Sequence, residues 1–197
     1  MRIVGGTWRG RALMAPPGQA TRPTADRVRQ ALFDMLLHAP WGGRELLEGV
    51  RVLDAFAGTG ALGLEALSRG AAFATFIEQD RAALAALRRN IATCGAEERT
   101  FVLAADVLAA SRGEPCGLVF LDPPYGRDLV PLAVERLRTM SWLSPEALVV
   151  AESGRDEKLP ELGDLLAERV HGAARLSVFK TSPAWRGSRR AGEVKAR

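Results

Sequence analysis

From residue 50 onward, short uninterrupted apolar runs alternate with stretches of helical periodicity, and that alternation restricts the possible folds more than any other feature of the chain. Leu118-Val119-Phe120-Leu121 is typical. Four apolar residues in succession suit a strand covered on both faces, not one with a face in water. Runs of this kind predict strands over 50–56, 72–78, 100–105, 117–122 and 147–152, with a closing strand over 175–180. Helices are expected over 61–69, 80–93, 129–140 and 159–168. Strand and helix in turn point to an α/β, doubly wound, mostly parallel sheet with helices on both faces.

The first 24 residues read differently. Gly5-Gly6, Gly10 and Pro16-Pro17-Gly18 punctuate them, and Thr24 or Asp26 is placed to cap a helix over 27–38. The expected organisation is a basic arm over 1–26, a domain over 27–180 and a basic tail over 181–197. Charge follows that division. Residues 1–29 carry six arginines against Asp26 alone, and 180–197 carry six basic residues against Glu193, so the body between them is acidic although the whole chain is +4. Basic ends on an acidic body suit a polyanionic partner, because each phosphate neutralised releases condensed counterions.

The 197 residues fit one domain with a sizeable core. No stretch has the apolar length of a membrane span, and the opening residues have no apolar run of a signal peptide, so a cytoplasmic protein is expected; it is also expected to be a monomer. Cys94, Cys116, His38 and His171 offer neither a CxxC pair nor a ligand cluster, so no metal is expected.

The first predicted strand ends in Asp54-Ala55-Phe56-Ala57-Gly58-Thr59-Gly60-Ala61-Leu62-Gly63. Glycines there allow a tight turn and close approach of backbone to ligand, ahead of a helix N-terminus. By itself this GxGxxG describes a nicotinamide site equally well. Carboxylates at the strand ends sharpen it: Asp54, Glu78, Asp106 and Asp122 should converge where ligands bind in such sheets. A pyrophosphate is disfavoured among clustered acids, whereas S-adenosylmethionine (AdoMet) brings a sulfonium and an ammonium.

Asp122-Pro123-Pro124-Tyr125 follows the fourth predicted strand. Two prolines stiffen the loop and leave it rich in carbonyl acceptors. Such a loop suits methylation of an exocyclic base amine, whose lone pair is delocalised into the ring. Asp122 and the Pro123 carbonyl can accept both N–H bonds and draw nitrogen towards tetrahedral geometry, while Tyr125 stacks on an extruded base. The leaving group is a neutral thioether, so alignment and hydrogen bonding carry the catalysis.

The segments 58–65 and 122–125 resemble motifs I and IV of class I methyltransferases that act on amino nitrogens. Arg2-Ile3-Val4-Gly5-Gly6, Trp8-Arg9-Gly10-Arg11 and Arg22-Pro23-Thr24-Ala25-Asp26-Arg27-Val28-Arg29 are similar to the opening of the bacterial small-subunit ribosomal RNA guanine-N2 methyltransferases. The resemblance spans about residues 2–180. It implies a Rossmann-like seven-stranded sheet with an antiparallel edge pair, and methyl transfer from AdoMet to guanine N2 in 16S rRNA of the small subunit or its assembly intermediate. It further implies cofactor contacts at Asp54, Ala57, Gly58, Thr59 and Gly60, with Glu78 on the ribose, Asp106 on the adenine, and Thr24 and Arg27 nearby. Asp122 and Pro123, followed by Pro124 and Tyr125, would hold the base. Arg9, Arg11 and Arg22 would meet the RNA.

The competing readings are an amino-methyltransferase acting on adenine N6 or cytosine N4 in DNA or another RNA, a protein-glutamine methyltransferase, an NAD-dependent oxidoreductase, and a non-catalytic RNA-binding module. DNA enzymes normally need added sequence for target recognition, glutamine enzymes favour Asn at the first motif position, and an oxidoreductase needs a proton donor or metal that is not visible here.

Overall fold

The computed structural model describes residues 1–15, 23–157, 159 and 162–182, without the side chains of 23–25 and 171. Arg22, the Thr24 side chain and the tail beyond Ser182 therefore lie outside the described residues.

The elements run α1 (Pro23–His38), β1 (Arg51–Ala55), α2 (Ala61–Ser68), β2 (Phe73–Glu78), α3 (Arg81–Cys94), β3 (Thr100–Ala104), β4 (Cys116–Leu121), α4 (Leu129–Thr139), β5 (Leu143–Gly154), β6 (Asp164–His171) and β7 (Ala174–Lys180). They form one seven-stranded sheet in the order β3-β2-β1-β4-β5-β7-β6. β1 to β5 pair in parallel, and β7 is antiparallel to both β5 and β6. This is the Rossmann-like, doubly wound sheet with an antiparallel edge that the sequence pattern and the resemblance led us to expect. The order reverses direction at β1 and β4, so a crevice opens beyond their C-terminal ends.

Alternate residues of each central strand enter opposite layers, which explains the unbroken apolar runs. Val52, Phe76, Phe120 and Val150 pack with Phe33 of α1, Leu64 of α2 and Leu87 of α3. Leu53, Ala55, Val119, Leu121 and Ala151 pack on Val130, Ala133, Val134 and Leu137 of α4.

Two elements differ from expectation. The helix expected over 159–168 is not formed: β6 takes up the second half of that span, 164–168, and pairs with β7. Gly163, at φ 142°, lies where a Cβ would stand 2.3 Å from the Lys180 carbonyl oxygen. That close backbone approach stops a helix and starts the edge hairpin; the leucines that suggested helical spacing divide between core and surface, Leu162 buried and Leu165 exposed. α1 begins at Pro23, four residues before the expected start, since proline's fixed φ suits a first helical turn.

The opening segment packs on the domain instead of standing ahead of it. Arg2 bridges Ala12, and Ile3 and Leu13 are buried in the α1–α3 core. The wholly buried Glu65 carboxylate of α2 accepts the Val4 and Gly5 amides, each at 2.8 Å. Arg69 at 2.7 Å and Arg29 at 3.5 Å neutralise it. A buried charge needs such partners, and losing one would leave it uncompensated. Asn90 of α3 continues the clamp, bonding the Met14 amide and carbonyl and the Thr59 carbonyl. N-terminal segment and glycine turn thus share one buried side chain.

Candidate active site

A cleft of about 730 Å³ opens past the ends of β1, β2 and β4, bordered by Gly58, Thr59, Glu78, Asp122, Pro124 and Tyr125 among others. The turn after β1 builds one wall. Phe56 and Gly58 have positive φ, 67° and 55°, and the Ala57 amide anchors to the Ile77 carbonyl at 3.0 Å. A Cβ on Gly58 would meet no protein atom within 4 Å, so the backbone there faces open space. Gly60, also left-handed, leads directly into α2.

Glu78 is held rigidly. Its Oε2 accepts the Gly58 amide at 2.7 Å, and Oε1 accepts the Gln79 and Asp80 amides at 2.8 and 2.7 Å. One lone pair of Oε2 stays available towards the cleft. Asp54 lies beneath it, 2% exposed, accepting the Gly63 amide at 2.9 Å. Burial, opposed by that amide and reinforced by Asp122 and Glu78, pushes its pKa up to about 8. Asp106 is exposed, and its carboxylate accepts the Leu108 amide at 2.9 Å to cap a 3₁₀ turn. Its neighbours Ala105 and Val107 line the cleft. So of the four strand-end acids, Glu78 and Asp122 border the cleft, while Asp54 underlies it and Asp106 sits at its rim.

The Asp54 shift has a thermodynamic consequence. Its pKa in the fold exceeds the ordinary 3.8, so between those values the folded state keeps a proton that the unfolded state has released. Asp54's contribution to stability is complete below pH about 4 and is lost as pH rises to about 8. Asp54→Asn, which does not titrate, should therefore gain on the native chain as pH rises, with a melting-temperature difference growing by roughly 10 °C between pH 5 and pH 8. A difference independent of pH, read by calorimetry, would contradict a neutral Asp54.

Asp122 follows β4 directly. Asp122 is exposed at the cleft, although the surrounding protein displaces much of the solvent around its carboxylate. That loss of solvent, with the charge of Glu152 second, pushes its pKa up to about 7. Pro123 is buried and Pro124 exposed. Tyr125 is 45% exposed, and its hydroxyl donates to Glu152. Burial and then that carboxylate raise the phenol well above its ordinary value. Glu157 pins the rest of the loop, accepting the Gly126 amide at 2.9 Å and the Gly154 amide at 2.5 Å. These amides, Gly154 first, hold its carboxyl below the usual range.

Arg9 and Arg11 are exposed on the N-terminal segment, with Arg11 donating to the Thr93 carbonyl at 2.9 Å. Arg27 is exposed on the first turns of α1.

Residues 1–180 match the model of a family described as conserved hypothetical protein 95. The Escherichia coli K12 protein named ribosomal RNA small subunit methyltransferase D is 45% identical over 161 residues, which is 81% of this chain and 78% of that protein. The chain belongs to this family. Its Haemophilus influenzae namesake is 36% identical, covering 91% of this chain and 93% of that one. A solved Escherichia coli structure, described as the putative methyltransferase yhhF, superposes with a TM-score of 0.79 at 40% identity, covering 92% of this chain and 98% of the other. The fold and the enzyme class thus agree with the expectation from sequence.

Two acids of this methyltransferase escape the motifs. Glu152 and Glu157 belong to the end of β5 and the loop after it, and they meet the Asp122–Tyr125 loop only in the folded chain. Glu152 carried a usable signal: it too is an acid closing an apolar strand.

Proposed function

We propose that this methyltransferase moves the methyl group of AdoMet to the exocyclic N2 of a guanine in 16S rRNA, on the small subunit or its assembly intermediate. The observation that carries the proposal is the Asp122–Tyr125 loop at the rim of a carboxylate-bordered cleft. The relatives' name, ribosomal RNA small subunit methyltransferase D, supports the substrate.

Glu78 and Asp122 give the cleft the negative character that a sulfonium and an ammonium require, and Gly58 leaves room for backbone contact. Glu78 accepts the ribose hydroxyls. Ala105 and Val107, with Asp106 at the rim, flank the adenine. Ala57, Thr59 and Gly60 shape the turn, Asp54 supports it, and Thr24 and Arg27 stand by the entering nucleotide. AdoMet, when bound, supplies an electrophilic methyl on a leaving group that departs as a neutral thioether. Asp122 and the Pro123 carbonyl accept the two N2–H bonds and orient the lone pair. Asp122, with its pKa pushed up to about 7, would take the proton that N2 sheds on methylation. Pro124 stiffens the loop and Tyr125 stacks on the base.

Labelled AdoMet supplied with unmodified small subunits, naked 16S rRNA and duplex DNA tests the substrate: label should enter subunits or rRNA, and label confined to DNA would reverse the proposal. Arg9, Arg11 and Arg22 engage RNA phosphates. Arg9→Ala with Arg11→Ala should weaken RNA-particle binding about tenfold at low salt and flatten the slope of log affinity against log salt by one to two, roughly 0.7–0.9 per phosphate lost. An unchanged slope in filter binding would leave these arginines with packing alone.

A further inference from the structure

Beside the reacting loop stands an acid that methyl transfer itself does not call for. β4 and β5 run parallel with Leu121 opposite Ala151, so Asp122, just past the end of β4, stands beside Glu152, which is still within β5 and opposite Leu176 of β7. Leu121 and Ala151 both enter the α4 core, and strand alternation sends the next two side chains to the other face together. Glu152 is half-buried. Its Oε1 accepts the Tyr125 hydroxyl, and among the described residues no hydrogen bond engages Oε2. Its charge also acts on Asp122. A stacking ring and two neighbouring carboxylates are thus tied into one group.

Base chemistry makes that pairing selective. In guanine the N2 amine is flanked by N1–H, a second donor. In adenine the N6 amine is flanked by N1, and in cytosine the N4 amine by N3; both are acceptors. A carboxylate beside Asp122 accepts from guanine and faces a lone pair in the other two. Sites built to pair with a donor reject analogues lacking it far more strongly than apolar pockets reject a missing methylene, because a desolvated acceptor is left unpaired.

We infer that Glu152 selects guanine, accepting its N1–H while Asp122 holds the N2 amine. This rests on the guanine-N2 proposal above.

The test compares small subunits carrying guanosine at the mapped target with subunits reconstituted with 2-aminopurine there. That analogue keeps the N2 amine but has an acceptor at N1. Native enzyme should favour guanosine by about 100-fold or more in kcat/KM. Glu152→Gln keeps an oxygen for the Tyr125 hydroxyl and can turn its amide NH₂ to the analogue's N1, so the ratio should narrow at least about tenfold, with AdoMet binding unchanged in a thermal-shift control. Equal loss on both substrates, with the ratio intact, would reduce Glu152 to a support for Tyr125 and overturn the inference. Native enzyme that does not distinguish the two substrates overturns it without any variant. Label on a base other than guanine defeats the underlying proposal instead, and appears with native enzyme before any analogue is used.

Discussion

With Asp122 replaced by alanine, kcat for methyl transfer is expected to fall at least about 1,000-fold while AdoMet affinity stays within about threefold. Asp122 acts on the amine in two ways: its oxygens align the lone pair, and its basicity gives the departing proton a destination. Mutational losses of single preorganised hydrogen bonds at reacting centres run to about 10²–10³, and general-base catalysis contributes about 10²–10⁴, so removing both in one residue belongs at the upper end. Asp122→Asn keeps one oxygen acceptor but no base, and should retain more activity than alanine. The pH profile follows with its sign. Asp122's pKa is raised from the ordinary 3.8 to about 7, so protonation on falling through about 7 should lower kcat/KM about tenfold per pH unit. Equal loss of cofactor affinity and turnover in Asp122→Ala, read by titration and single-turnover rates, would mean that its role is to hold the cofactor.

The second large effect separates from the first by its readout. Glu78→Ala should weaken AdoMet binding by roughly 10–100-fold, the worth of a charged hydrogen bond, while kcat at saturation changes little. Three backbone amides, of Gly58, Gln79 and Asp80, converge on Glu78, so its loss removes a cofactor acceptor and loosens the glycine turn together. Glu78→Gln should not restore full affinity, because its NH₂ would be forced against amide donors. A fall in kcat with affinity intact, by calorimetric titration and saturation kinetics, would place Glu78 at the reacting end of the cleft.

The parts of the molecule legible from sequence are those set by local pattern. Unbroken apolar runs such as Leu118–Leu121 announce a sheet covered on both faces, and the two layers on either side of β4 bear this out. The glycine turn and the Asp122–Tyr125 loop sit at strand ends because the fold puts loops there. What escaped depends on long-range pairing. Whether 159–168 is helix or strand depends on Gly163 meeting the Lys180 carbonyl, far along the chain. The basic opening segment looks like an arm until the Glu65 carboxylate, some 60 residues away, is seen to hold its amides. Asp106 shows the limit of counting acids: it follows a strand as expected, yet its oxygen caps a 3₁₀ turn at the cleft rim. Glu152 and Glu157 show the converse, joining the loop across parallel strands that no spacing rule connects.

The central claim is that a stiff loop presents oxygen acceptors to the amine of a guanine beside a pocket for a cationic methyl donor. Nucleoside analysis of 16S rRNA from subunits incubated with labelled AdoMet tests it most directly. N2-methylguanosine at one position, absent with Asp122→Ala, is the expected product; N6-methyladenosine, N4-methylcytidine, or N2-methylguanosine formed equally well by that variant would contradict it.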